Sequence, residues 1–273
     1  MSPMMLDFTS NDTTSNKRRV FKVTPAKPND VRRLVDIEFH AFENERVNQV
    51  LSYRDYKKPA HFERTVKIYQ NALSGANLAR PVQANKRRLS GSMINARPIN
   101  DDVNFRKVVD TKTQEPISFT KYEMKTYTTE ELDSPADVGH EGEPKMNRDW
   151  FALNERLRRE YIGTQEHCYI GMLATKPQHQ HNGAGTMLLE GILAEADDAG
   201  VECYLEATDT AKAFYERHGF ETITELRFDP AEYGMNGLGT ERQTVMVRGA
   251  MRRTGERDPV RSWEDAVARD LQQ

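Results

Sequence analysis

Apolar positions recur along this chain in two rhythms, and the changes of rhythm divide it into elements. Gly185, Leu188, Leu189, Ile192, Leu193 and Ala196 fall at i, i+3, i+4, i+7, i+8 and i+11, the stripe of an amphipathic helix, and Gly200 is placed to end it in a left-handed conformation. Just before it, Cys168 to Ala174 is a nearly continuous apolar run, which predicts a strand covered on both faces. Nearer the start, Val20 to Thr24 reads as a short strand. A helix capped near Asn29 or Asp30 follows, striped by Val31, Leu34, Val35, Ile37, Ala41 and Phe42. Phe62, Val66, Tyr69 and Leu73 mark a second helix that Gly75 closes. Val103 to Val109 and Ile117 to Lys125 alternate about the polar turn Asp110 to Gln114 and predict a hairpin. Trp150, Leu153, Leu157 and Tyr161 stripe a further helix, with Asn147 as its cap and Gly163 as its end. After the long helix come a strand at Val201 to Ala207, a short helix within the block Ala211 to Phe220 and a strand at Glu221 to Phe228. A loop at Gly234 to Gly239 and a last strand at Thr244 to Ala250 complete an α/β order, β-α-α-β-β-α-β-α-β-α-β-β.

The segment that carries chemistry lies where the apolar strand runs into the long helix, Leu173-Ala174-Thr175-Lys176-Pro177-Gln178-His179-Gln180-His181-Asn182-Gly183-Ala184-Gly185-Thr186. Gly183 and Gly185 carry no Cβ to block close approach of a ligand. The first turn of the helix offers unpaired N–H groups and the positive end of its dipole, so the junction is an anion cradle suited to a pyrophosphate. A Walker loop would need Gly-Lys-Ser/Thr. A Rossmann turn would need three glycines and an acidic residue about 20 positions later. Neither pattern is present.

Gln180-x-x-Gly183-x-Gly185 instead resembles the Gln/Arg-x-x-Gly-x-Gly/Ala signature with which the GNAT superfamily of acetyltransferases holds the pyrophosphate of acetyl-coenzyme A. The sequel strengthens the likeness: Ala211, Tyr215, Gly219 and Phe220 match the second block of that family, Ala-x-x-x-Tyr-x-x-x-Gly-Phe, position by position. The resemblance extends more weakly over about residues 20 to 250, and the strand Tyr204-Leu205-Glu206-Ala207 is similar to that of fungal-type members.

The resemblance implies a GNAT fold, a mixed α/β sheet of about seven strands whose fourth and fifth splay apart for the pantetheine arm. It implies acetyl-CoA as co-substrate, held by Leu173, Ala174, Thr175, Gln180, His181, Asn182, Gly183, Ala184, Gly185, Thr186 and Tyr215. By the same likeness Tyr215 is the general acid toward the departing thiolate, and backbone N–H groups near Leu173 and Ala174 are the oxyanion donors. Glu206 is the candidate base, or else a carboxylate that orders the loop at Asp209 and Thr210. His167 and Glu166 are rivals, the first because an imidazole is matched to physiological pH. The first helices offer Phe39, Phe42 and Glu43 as substrate contacts, with core packing as the other role of the aromatics. One departure is that many family members carry Asn in the loop before the short helix, where this chain has Asp209-Thr210. The implied reaction is direct acetyl transfer to a primary amine in a ternary complex, with a small molecule as the acceptor. A protein or peptide amine is the alternative. A non-catalytic acyl-CoA-binding module is a third reading, against which Tyr215 and Glu206 argue.

Composition adjusts this picture at its edges. Of 273 residues, 37% are hydrophobic and 30% charged, which places the polar excess in long surface segments around one large domain. We expect a disordered tail at 1–18, a domain at 19–251 with irregular insertions near 75–100 and 127–146, and a charged tail at 252–273 with a short helix from Ser262 to Leu271. That helix carries Trp263, Val267 and Leu271 on one face, for docking on the domain or on a partner. Thr128 to Pro144 holds six carboxylates and no Lys or Arg, an acidic loop that would suit a lid favouring a cationic amine, or solvation alone. The 39 basic and 42 acidic residues are interspersed, leaving no platform for nucleic acid or membrane. Lys17-Arg18-Arg19 and Lys86-Arg87-Arg88 read as solvated charge, with nuclear signals as the alternative, and Arg87 to Ser90 has the look of a basic-directed phosphorylation site. The two cysteines, Cys168 and Cys203, both lie in strands and suit a reducing compartment, so the cytoplasm is expected. The histidines show no metal-ligand spacing, so no metal is implied, and the oligomeric state, monomer or homodimer, is left open.

Overall fold

A computed structural model describes residues 21–55, 58–74, 103–136 and 144–268. The expected tail at 1–18, the insertion near 75–100 with Gly75, the middle of the acidic loop, both basic runs, Ser90 and Leu271 lie outside the described residues. Among the described residues seven strands form one sheet: β1 (Phe21–Pro25), β2 (Asn104–Asp110), β3 (Pro116–Lys125), β4 (His167–Thr175), β5 (Glu202–Thr208), β6 (Glu221–Phe228) and β7 (Glu241–Arg248). Their spatial order is β1-β2-β3-β4-β5-β7-β6, and every neighbouring pair is antiparallel except β4 with β5. A parallel pair needs a crossover. Here it is helix α6 (Ala184–Ala199), whose Leu189, Ile192, Leu193 and Ala196 pack on Cys168, Ile170, Cys203 and Leu205.

The other helices are α1 (Val31–Ala41), α2 (Arg46–Ser52), α3 (Pro59–Leu73), α4 (Thr129–Asp133), α5 (Lys145–Ile162), α7 (Asp209–Glu216) and α8 (Trp263–Ala268). Helices α6 and α7 cover one face of the sheet. On the opposite face, α1 and α3 pack over Phe105, Phe119 and Ala174, while α5 and α8 pack over Tyr204, Val245 and Val247. Burial of a large apolar side chain contributes roughly 1.5–3 kcal/mol, so these two layers carry the stability of the sheet.

Strand β4 changes phase midway. Lys121 pairs with Met172 but the next residue, Tyr122, pairs with Ile170, so Gly171 is a bulge. Cys168 and Ile170 therefore face α6, whereas beyond the bulge Met172 and Ala174 face α1 and Leu173 returns to the α6 side. A Cβ there would lie 3.1 Å from the Tyr169 ring, so any larger residue would make the ring give way by a few tenths of an ångström.

Several elements differ from their sequence expectation. Helix α2 was not foreseen, because Arg46, Asn48 and Gln49 interrupt its apolar stripe. The acidic loop contains a helical turn, α4, whose N-cap Thr128 bonds the Glu131 amide while Glu131 bonds back to the Thr128 amide. Asn147 is not a cap. Helix α5 begins two residues earlier, behind Pro144, and the buried Asn147 amide donates to the carbonyls of Val50 (2.9 Å) and Leu51 (2.6 Å). Strand β7 starts at Glu241 and not at Thr244, since its first residues are polar and carry no alternation.

The C-terminal segment docks on its own domain. Trp263 stacks on Tyr161 of α5 at 6.2 Å, Arg261 pairs with Glu202 at 2.7 Å, and Arg257 joins Arg248 on the Asp197 carboxylate. Gly249 lets this strap cross, because a Cβ there would meet the Asp258 carbonyl oxygen at 2.0 Å.

Candidate active site

Strands β4 and β5 are hydrogen-bonded only from His167 opposite Glu202 to Tyr169 opposite Tyr204. Beyond that pair β4 stays with β3 as far as Thr175 and β5 stays with β7 as far as Thr208, so the two strands diverge and leave a cleft in the sheet. Its mouth carries backbone groups with no ladder to join. The Lys176 amide bonds the Ile117 carbonyl of β3 at 3.0 Å, and the Ser118 and Thr120 hydroxyls bond the Ala174 and Met172 carbonyls. By strand alternation, the amides of Leu173 and Thr175 point into the cleft. The expected donor Ala174 is corrected by this register: its amide faces β3, and its side chain packs among Val31, Leu34 and Phe119.

Next to the cleft the chain forms the cradle. His181 and Gly183 both adopt left-handed backbone angles, φ 59° and 83°, which turn the loop so that the start of α6 faces outward. The first helical bond to close is from the Met187 amide to the Gly183 carbonyl, so the amides of Ala184, Gly185 and Thr186 take no backbone partner among the described residues. The Gln180 side chain ties the loop back to the Thr175 carbonyl at 3.3 Å, and that of Asn182 to the Gln180 carbonyl at 3.0 Å. Among the described residues nothing lies within 4 Å of where a Gly183 Cβ would stand, and a Gly185 Cβ would touch Phe214 and Thr175 at 3.8 Å. The cradle is open, donor-rich and free of acidic residues in its first helical turn, as a pyrophosphate requires.

Two groups flank the cleft from opposite faces. Tyr215 projects from α7 on the α6 side, buried against Phe214 and Phe220, and burial drives its phenol well above the ordinary range, so it is a neutral donor at any physiological pH. Glu206, two residues past the last β4–β5 pair, lies on the α5 side. Its Oε1 is buried without a partner among the described residues. Burial lifts its carboxyl to about 6, against the pull of the Arg158 guanidinium and the Tyr169 hydroxyl.

The remaining sequence candidates fall elsewhere. His167 lies in the paired part of β4, fully buried and stacked on Tyr127 at 5.5 Å. Burial and the neighbouring Arg158 hold its imidazole neutral, at about 4. Glu166 is half-buried at the entrance of the strand, and burial raises its carboxyl. Phe39 belongs to an aromatic cluster with Tyr53, His61 and Phe62 at 4.8–5.4 Å, Phe42 packs on the same core, and Glu43 is exposed.

At the rim of the cleft the structure brings together residues that no local pattern marked. Glu45 accepts from the Thr210 hydroxyl at 3.0 Å, and buried Glu241 accepts from Asn48 at 3.2 Å, its carboxyl raised by burial and by Glu45 and Asp209 nearby. The only hint in the sequence was the departure at Asp209-Thr210. Among the described residues no group of three His, Cys, Asp or Glu could hold a metal ion. Nor is any described helix long and apolar enough to cross a membrane.

A sheet of this order, opened between its fourth and fifth strands beside a glycine-turned helix start, defines the GNAT acetyltransferase fold. Residues 155–230, which span the cleft strands, the cradle and Tyr215, match the family model described as acetyltransferase (GNAT) domain. Over 80 residues the chain is 31% identical to the uncharacterized N-acetyltransferase YafP of Escherichia coli, a stretch that makes up 29% of this chain and half the length of that relative. Among solved structures it is similar to a mosquito arylalkylamine N-acetyltransferase like 5b (TM-score 0.55, 13% identity, covering 84% of this chain and 99% of that one). It is also similar to a histone acetyltransferase HPA2 and related acetyltransferase from Corynebacterium glutamicum (TM-score 0.51, 16% identity, 86% and 98%). These two likenesses support the fold.

Proposed function

We propose that this protein transfers the acetyl group of acetyl-CoA to a primary amine, and that the amine belongs to a small molecule. The observation that carries the reading is the cleft between β4 and β5, flanked by a free helix start, a neutral phenol on one face and a carboxylate near 6 on the other. When bound, acetyl-CoA supplies a thioester carbonyl open to attack and a thiolate leaving group. The amides of Ala184 to Thr186 hold the pyrophosphate, and Gly183 gives it room.

Glu206 receives the proton that the amine sheds as it bonds to the acyl carbon; at neutral pH a carboxyl near 6 is ionised and still basic enough to be useful. The Leu173 and Thr175 amides stabilise the negative charge that forms on the carbonyl oxygen as the amine adds, and the C–S bond breaks as that charge returns to re-form the carbonyl. The Tyr215 hydroxyl returns a proton to the departing sulfur. Glu45 and Glu241 at the rim favour a cationic acceptor, which must lose a proton before it reacts.

The test is thiol release from acetyl-CoA against polyamines, arylamines, amino acids, aminoglycosides and short peptides. Turnover confined to small amines supports the reading. Turnover confined to peptides moves the acceptor class to proteins, and acetyl-CoA binding with no turnover on any acceptor leaves a non-catalytic module.

A further inference from the structure

We infer that Phe214 is the residue that makes the cradle selective for coenzyme A: its ring is the apolar wall met by the methyl-bearing carbon of the pantetheine arm as the arm leaves the pyrophosphate. This rests on the reading of the cradle as an acetyl-CoA site. Phe214 stands at a position that the pattern Ala211-x-x-x-Tyr215 leaves open, so nothing in the motif assigns it a role.

The ring joins the two banks of the cleft. Helix α7, which carries it, continues from β5, whereas the cradle continues from β4 into α6. Yet the Phe214 Cζ lies 3.8 Å from where a Gly185 Cβ would stand, and the Thr175 hydroxyl, at the end of β4, stands equally close to that point. Because Gly185 has no side chain, the ring comes up to the helix start itself, beside whatever the amides of Ala184 to Thr186 hold. Its orientation is fixed from behind. Tyr215 meets it edge-on at 5.2 Å and His218 packs on it at 4.6 Å, the imidazole being held in turn by an Nδ1 hydrogen bond to the Phe214 carbonyl at 2.8 Å. Tyr215 is 7% exposed in the core under α6, but Phe214 only borders that core and stays half-buried. Packing therefore uses part of the ring and leaves part for a ligand.

A helix start with free amides binds any pyrophosphate and cannot tell one ester of it from another. Discrimination has to come from the first group beyond the phosphates. In coenzyme A that group is a methylene followed by a carbon bearing two methyls; in a dinucleotide or a nucleotide sugar it is a hydroxylated sugar. An aromatic face gains from covering methyls, whereas hydroxyls pressed against it lose water without a partner in return. Tyr215, the next residue on α7, lies deeper along the same wall, which Leu173 continues from β4 on the α6 side. The arm is thus met by apolar surface from its first carbon to the point where its sulfur needs a proton.

The test uses three probes on the full chain: acetyl-CoA and CoA by calorimetry, and 3′-phospho-ADP, which keeps the pyrophosphate and lacks the arm, by displacement of acetyl-CoA. Phe214→Ala should raise the Kd of acetyl-CoA and of CoA alike by about 10-fold, the size expected for losing one apolar face, and leave 3′-phospho-ADP within about 2-fold. Phe214→Leu should fall between. Equal weakening of all three probes overturns the inference, because the ring then only props up the cradle; unchanged acetyl-CoA affinity in a folded variant overturns it as well. If Phe214→Ala does not fold, the same comparison in Phe214→Leu decides. Failure of the wild-type protein to bind acetyl-CoA removes the cofactor reading itself, whereas wild-type binding that the variants leave unaltered removes only the role of Phe214.

Discussion

The stretch from β4 to α7 and the set of α1, α2 and the β6–β7 turn meet at one cleft, yet they are built on opposite principles. The first presents backbone: cleft-facing amides from Leu173 and Thr175, a helix start at Ala184 to Thr186, and glycines that keep side chains away. Such a site is local, because consecutive residues make it. The second presents side chains gathered from distant segments, Glu45 and Asn48 from the α1–α2 region against Thr210 and Glu241. A fixed group common to many reactions is suited to the first kind of site and a variable acceptor to the second.

The sharpest way to break this comparison is at the chemistry both regions share. Tyr215→Phe should lower turnover by about 10- to 1000-fold with acetyl-CoA affinity intact, the range for loss of one positioned proton donor. Wild-type turnover would leave Tyr215 a packing residue. In the protein with Glu206, activity should fall as pH drops through about 6, because protonation removes the base. The same raised carboxyl destabilises the fold as pH rises through about 6, since its ionised form is the poorly solvated one. Glu206→Gln should therefore abolish that limb and make the fold more stable at pH 8 than the parent; chemical denaturation at pH 5 and pH 8 measures the second part.

A control away from the cleft comes next. Burial opposes ionisation of Asp197, but the hydrogen bonds and charges of Arg248 and Arg257 hold its carboxyl at about 2. The pair contributes stability above the ordinary carboxylate range and loses it as pH falls through about 2, so Asp197→Asn should lower stability at pH 7 by about 1 kcal/mol, since solvent screens part of the attraction. Acetyl-CoA affinity and turnover should not change. A change in either would mean that the strap reaches the cleft.

Smaller effects separate the two regions. Gly185→Val should weaken acetyl-CoA binding by about 10-fold or more, since the branches beyond a Cβ already in contact with Phe214 and Thr175 crowd the cradle. Its acceptor KM should stay constant. Glu45→Gln should do the reverse, raising the KM of a cationic acceptor by about 2- to 5-fold as one rim charge is lost, with acetyl-CoA affinity unaltered. If Glu45→Gln weakens acetyl-CoA and spares the amine, the assignment of the rim to the acceptor is wrong.

The same contrast explains what the sequence disclosed. The strand, cradle and long helix between Cys168 and Gly200 were legible because apolar period, glycine placement and helix start all act within a few residues of one another. The seven-stranded sheet followed from the resemblance those blocks carry. Helix α2 and the first residues of β7 were hidden, because polar side chains that bond across the fold, such as Asn48 to Glu241, break the apolar rhythm. Asn147 had the right chemistry for a cap but spends its amide on the α2 carbonyls, a partner 96 residues away in the chain. Ala174 is an oxyanion donor only by the family resemblance, which carries no register, and the pairing of β4 with β3 turns its amide away. Arg158 lay on a predicted helix without any mark, since a buried guanidinium and an exposed one look alike until the sheet is in place.

The phase change at Gly171 also makes β4 a two-channel instrument. Met172 and Leu173 are sequence neighbours, but one side chain lies in the core beneath α1 and the other in the core beneath α6. A methyl label on each would listen to a different side of the same strand, from two positions a single peptide bond apart. Filling the cradle should be heard first at Leu173 and arrival of an amine first at Met172, so the order of ligand binding can be timed within one molecule.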